Sequence, residues 1–230
     1  MFRKIGKRMN VAKTVLLAVL VVTLLISVVS IARAVGAAYA FGYANWTTDL
    51  KGHRVYVWTG TPPNGLTWTA APVAMCELCP CAGKKAETGW IKGMISDSTG
   101  QPLGDVLQQY VGYTDINGTW HWEGGKGNLS ENTWYQVKVM YSKSADRWEA
   151  WRFSDVVWYQ PYDLGWKKGC RLAAGSENND DQGWMGVWGW HPEYVKWGGS
   201  WTLYNYTSSQ TAGGGHIQHA YDFGYGAWGP

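Results

Sequence analysis

The chain has 230 residues, 46% apolar, 16% charged and 15% aromatic, with 17 tryptophans against 4 phenylalanines, and 30 glycines. A charged fraction this far below the roughly 25% of ordinary soluble domains, with so many rings and glycines, excludes a disordered chain and a long charged coiled coil. Of the 20 basic residues behind the net charge of +3, six (Arg3, Lys4, Lys7, Arg8, Lys13 and Arg33) stand in a leader without acidic residues, which leaves 14 basic against 17 acidic and excludes a basic nucleic-acid footprint on the folded part.

Residues 1–14 read as a basic cytoplasmic leader and 15–33 as a transmembrane helix or signal anchor. The run Val15 to Ala32 lacks charge, Gly and Pro, and at about 1.5 Å per residue it reaches roughly 27 Å, close to a hydrocarbon core. The positive-inside bias then delivers everything after Arg33 outside the cytoplasm. Ala38-Tyr39-Ala40 has the small-residue spacing of a signal-peptidase site, so the reading divides between a single-pass membrane protein and a secreted or cell-surface one. A pilin-like subunit, with the apolar helix as filament core, is a third reading of the same segment.

Residues 34–52, small and aromatic, read as a juxtamembrane stem, and 53–212 as an extracytoplasmic β domain. His53 to Thr59 alternates with β-branched residues, as a strand does, and ends at the turn Thr61-Pro62-Pro63-Asn64-Gly65. The next segment carries Cys76, Cys79 and Cys81, and Cys170 follows far along the chain. Four cysteines in an oxidising compartment predict disulfides. A bridge from this cluster to Cys170 would close a loop of about 90 residues, worth on the order of 4 kcal/mol in the chain-entropy model. A thiolate metal site is the alternative, and it lacks a second Cys-x-x-Cys half. Asn45, Asn117, Asn128 and Asn205 each open an Asn-x-Ser/Thr sequon and predict a glycoprotein.

Within 88–141 the strand signals are dense and no helical period interrupts them. Gly93-Met94-Ile95 is followed by Asp97 to Leu103 with Gly100 and Pro102, then by Thr114-Asp115 through Gly118 to Trp120, then by Tyr135-Gln136-Val137-Lys138-Val139. In that order these residues resemble the carboxypeptidase-regulatory-like family of transthyretin-type, prealbumin-like β-sandwiches. The resemblance implies an accessory module without catalytic residues of its own.

Beyond 141 the tryptophans dominate. Trp120 and Trp122, and likewise Trp188 and Trp190, are two apart, which on a strand puts each pair on one face as a binding platform. Glu177, Asp180 and Asp181 sit in an oxygen-rich stretch of the kind that wraps Ca²⁺, and His216 and His219 are candidates for zinc or copper, with His53, His121 and His191 as further ligands. Neither set has the spacing of a dedicated site, so no cofactor is expected. Residues 213–230 form a Gly- and aromatic-rich tail, expected to be extended.

Gly-x-Ser-x-Gly, His-Glu-x-x-His and Gly-x-x-x-x-Gly-Lys-Ser/Thr are all absent. The sequence therefore predicts an all-β, immunoglobulin- or transthyretin-like β-sandwich with loop-rich Trp/Gly extensions behind a single N-terminal transmembrane helix. Its expected work is non-catalytic: assembly with other protein subunits at the cell surface, in a filament, layer or membrane complex, by strand addition from 34–50 or 210–230. A carbohydrate-binding module using exposed Trp to hold glycans and a metal- or redox-active accessory subunit are the alternatives. Nucleic acid is excluded as a partner, and the bilayer is contacted through 15–33.

Overall fold

The computed structural model describes residues 38–65, 68–78, 83–96, 101–161, 163–178, 186–212, 216–220 and 224–228. The leader, the apolar segment 15–33, Cys79, Cys81, Asp180 and Asp181 lie outside them. Among the described residues there is no helix, and hence none long and apolar enough to cross a membrane.

The strands are β1 (Ala38–Trp58), β2 (Trp68–Cys76), β3 (Lys85–Ser96), β4 (Pro102–Asp105), β5 (Gln108–Thr114), β6 (Trp120–Glu123), β7 (Trp134–Ser142) and β8 (Arg147–Arg152). They continue as β9 (Asp155–Tyr159), β10 (Gly169–Asn178), β11 (Val187–Lys196), β12 (Trp201–Leu203), β13 (Ser208–Ala212), β14 (His216–Ala220) and β15 (Gly224–Trp228). The 21-residue β1 serves two layers. Its first half, Ala38–Asn45, pairs antiparallel with β10 and on the other edge with β13. Its second half pairs with β11 and with β7. A register shift between Asn45 and Leu50 separates the halves.

The first sheet thus runs β13-β1-β10-β2-β3-β5-β6, and the second runs β9-β8-β7-β1-β11-β15-β14. Alternation along each strand turns one face of each sheet inward. Ala40, Val73, Met75, Trp90 and Leu172 of the first sheet meet Val55, Val57, Val137, Val139 and Val187 of the second in one buried core. Trp90 ties the layers directly, because its indole N–H donates to the Trp58 carbonyl at 3.1 Å.

The expected β-sandwich is present, but two segments are differently used. The stretch read as a stem, 34–52, supplies from Ala38 onward the first half of the strand shared by both sheets. The tail 213–230 supplies β14 and β15, which pair with each other and with β11. Both segments proposed for strand addition to a neighbour are therefore already hydrogen-bonded within this sandwich. The strands read from the family pattern also divide between layers. β3, β5 and β6 are neighbours in the first sheet, while β7 pairs with β1 and β8 in the second.

The tryptophans split between packing and display. Trp90 and Trp148 are fully buried and Trp158 and Trp166 nearly so, whereas Trp120, Trp122, Trp134, Trp188 and Trp190 are exposed. Trp148 donates its indole N–H to the Trp166 carbonyl at 2.8 Å, with the two rings 4.3 Å apart. Replacing Trp148 with Ala should destabilise the fold by about 3–5 kcal/mol. Urea unfolding checks this, and a loss below about 1 kcal/mol would show that the ring does not anchor the core.

Candidate functional site

The outward face of the first sheet is unusual for how little stands on its floor. Alternation places Ala70 and Ala74 of β2, Gly89 of β3, Gly112 of β5, and Ala173 and Gly175 of β10 there. These small residues leave a groove. Gly112 has a specific role, since a Cβ there would lie 2.5 Å from the ring of Trp120, which occupies that space.

Two depressions make up the groove. One, of about 320 Å³, is lined by Trp68, Ile91, Tyr110, Trp120 and Trp122 among others, and the other, of about 250 Å³, by Tyr39, Phe41, Tyr43, Lys85 and Gln210 among others. Glu87 and Glu177 line both. They stand on β3 and β10, with β2 between these strands.

The two carboxyls are differently held. Glu87 is 3% exposed. One of its oxygens accepts from the Tyr110 hydroxyl at 3.0 Å and the other from the Lys85 ammonium at 3.0 Å. An ammonium can only donate, so the Glu87 oxygen it meets is an acceptor. Burial alone would lower the Lys85 pKa, but the Glu87 charge and hydrogen bond outweigh it and raise it. Lys85 also lies 4.2 Å from the centre of the Trp120 ring, which links the charges to the aromatic wall. Burial, reinforced by the Glu87 and Glu177 charges, raises the Tyr110 pKa well above its usual value, so the hydroxyl keeps its proton.

Glu177 is partly buried, and no hydrogen bond among the described residues reaches its carboxyl. Burial, followed by repulsion from Glu87, pushes its pKa from 4.5 up to about 7, with Lys85 working against the rise. The groove therefore holds one fixed acceptor carboxylate and one carboxyl that carries a proton into the neutral range. That division between two neighbouring acids is the arrangement needed for proton transfer.

The sequence-derived candidates fall unevenly around this groove. Trp120 and Trp122 join it as expected of a platform. Trp188 and Trp190 lie on β11 in the second sheet. Glu177 was read as part of a calcium loop, but it is a strand residue that lines the groove beside Glu87. Cys76 and Cys170 are both disulfide-bonded, which removes them from a thiolate metal site. His53 is fully buried, within hydrogen-bond distance of the Ala74 carbonyl at 2.9 Å and the Tyr204 hydroxyl at 2.6 Å. Burial lowers its pKa to about 3 against the opposing Ala74 hydrogen bond, so it is a neutral core residue. His121 pairs with Asp115 at 2.9 Å, and His191 stacks on Trp190. His216 is exposed on β14, and the side chain of His219 lies outside the described residues. Among the described residues no three His, Cys, Asp or Glu side chains gather to hold a metal ion. Asn117, Asn128 and Asn205 are exposed, and the Asn45 side chain lies outside the described residues.

Lys85, Glu87 and Tyr110 were not singled out from the sequence. The available signal was the alternation Lys85-Ala86-Glu87-Thr88-Gly89-Trp90, in which two charges share one face of a strand whose other face carries Ala and Trp.

No family model and no curated protein matches the chain. Solved structures of similar outline include scytalido-glutamic peptidase with a transition-state-analogue inhibitor, at 8% identity and a TM-score of 0.47 over 83% of this chain and 97% of that one. They also include a homodimeric agglutinin from chicken liver, at 9% identity and a TM-score of 0.39 over 75% and 99%. A third is a Bacillus licheniformis β-glucanase, at 11% identity and a TM-score of 0.40 over 81% and 68%. The carboxypeptidase-regulatory-like assignment is corrected, because no such family model matches and the strands of its pattern divide between the two sheets. The expectation of a non-catalytic subunit that assembles by strand addition is corrected as well: the proposed exchange segments are incorporated into the sandwich, and the groove gathers two unlike carboxyls.

Because the folded state takes up a proton on Glu177 between pH 4.5 and about 7, stability should fall as pH rises through that window. Glu177→Gln removes this fall. The variant should gain about 1–2 kcal/mol over the parent at pH 8, after discounting for partial exposure, and nothing at pH 4. Chemical denaturation at the two pH values measures it, and an equal effect at both would contradict the assignment.

Proposed function

We propose that the groove binds a polysaccharide chain across its two carboxyls and hydrolyses it by acid catalysis. The observation that carries this reading is the proton-bearing Glu177 beside the hydrogen-bonded Glu87, at the junction of two aromatic-lined depressions. Trp68, Trp120 and Trp122 on one side and Tyr39, Phe41 and Tyr43 on the other offer ring faces against which sugar rings pack, so an extended chain would place a linkage over the carboxyls.

In the proposed step Glu177 gives its proton to the bridging oxygen. The carbon–oxygen bond breaks, and its electron pair leaves with that oxygen. The positive charge left on the sugar carbon is stabilised by the Glu87 carboxylate, which Lys85 and Tyr110 hold in place. Water adds to the carbon, and its proton returns to Glu177. The disulfides at Cys76 and Cys170 support work in an oxidising, extracytoplasmic setting.

Release of reducing ends from a panel of neutral β- and α-glucans tests the proposal. The parent should cleave at least one of them, with a rate that falls as pH rises through about 7. Glu177→Gln should lose about a hundredfold or more in rate while retaining the polymer in affinity gels. An undiminished rate in Glu177→Gln would overturn the acid role. Glu177-dependent cleavage of casein without cleavage of any glycan would overturn the sugar assignment.

A further inference from the structure

The outward face of the second sheet carries three rows of side chains across β7, β1 and β11. Trp134, Trp58 and Trp188 are register partners in the first row, and Gln136, Tyr56 and Trp190 in the second. Lys138, Arg54 and Glu193 form the third. A bulge keeps the rows aligned. β11 uses three residues from Trp190 to Glu193 where β1 uses two, and His191 takes a left-handed φ of 52° there. The extra residue resets the alternation, so Glu193 faces outward with Trp188 and Trp190.

Trp134, Trp188 and Trp190 are 42%, 51% and 41% exposed, and the Trp58 and Trp134 rings stand 5.5 Å apart. Exposed rings in adjoining rows of one sheet face form a flat stacking surface. The charged row is unbalanced beside it. Arg54 spends its charge on a two-pronged pair with Glu193, at 2.6 and 2.9 Å. Lys138 lies 3.8 Å from the Trp151 ring centre, and no salt bridge among the described residues includes it. Burial and the Arg54 charge push its amine down to about 8, with Glu149 opposing. A cation held against rings without a carboxylate partner is complementary to an anion carried on a stackable ligand.

We infer that this face is a second binding surface, separate from the groove, for a linear polysaccharide bearing uronic-acid carboxylates, which stacks on the Trp134, Trp58 and Trp188 row and pairs its acid with Lys138. The proposal is independent of any hydrolysis in the groove.

Affinity electrophoresis of the full chain in gels containing polygalacturonate, beside gels containing a neutral β-glucan, tests it. The parent should be retarded by polygalacturonate, and retardation should fade in 0.5 M NaCl. Lys138→Gln and Trp188→Ala should each weaken it about fivefold or more, and Lys138→Arg should retain it. Trp188 is half exposed and Lys138→Arg keeps the charge, so these variants test binding without emptying the core. The inference is overturned by absence of retardation or by retardation indifferent to both Lys138→Gln and Trp188→Ala. It is also overturned if Trp188→Ala abolishes self-association, seen by light scattering, without altering polymer binding, because the face would then be a contact between copies of the chain.

Discussion

Burial of a carboxyl on one sheet face, reinforced by repulsion from a second carboxyl, is the constraint on which the functional reading depends. Glu87 has two hydrogen bonds to hold it as an acceptor, from Lys85 and Tyr110. Glu177 has burial and the Glu87 charge against it and no hydrogen bond among the described residues, so it is the member that keeps a proton. A single lysine cannot neutralise both. The site is thus asymmetric by construction, with a fixed hydrogen-bond acceptor and a proton source, and the asymmetry costs stability at neutral pH, as strained functional sites commonly do.

The fold makes this possible by closing the sandwich with one long strand. Because β1 pairs with β10 and β13 in one half and with β7 and β11 in the other, the two sheets are tied through a shared backbone as well as a core. Trp90 and Trp148 fill that core from opposite layers, so the outward face of the first sheet carries only a small cluster of Ala70, Ile91 and Tyr110. Small residues at Ala70, Ala74, Gly112 and Ala173 then keep the floor low, and the Trp120 ring lies in the space that Gly112 leaves.

Much of the architecture was legible in the sequence and little of the site. Val137 and Val139, alternating with Gln136 and Lys138, gave a strand at the position where β7 occurs, and His53 to Thr59 gave the second half of β1. Ala38 to Asn45 was misread because small and aromatic residues suit a headgroup-level stem as well as a strand buried between two others. Composition does not distinguish the two settings. The Trp120 and Trp122 pair was legible, since a spacing of two fixes a common face. Glu87 and Glu177 lie 90 positions apart in the numbering, and their proximity depends on β2 joining β3 to β10, which no local pattern encodes. Glu177 was noticed for its acidic neighbours in the chain, whereas its chemistry comes from neighbours in space.

A carboxyl titration by infrared difference spectroscopy, comparing the parent with Glu177→Gln between pH 3 and 9, tests the central claim most directly. The account predicts a protonated-carboxyl band that disappears near pH 7 in the parent and is missing from the variant. If every carboxyl of the parent has ionised by pH 5.5, the proton source does not exist and the account fails.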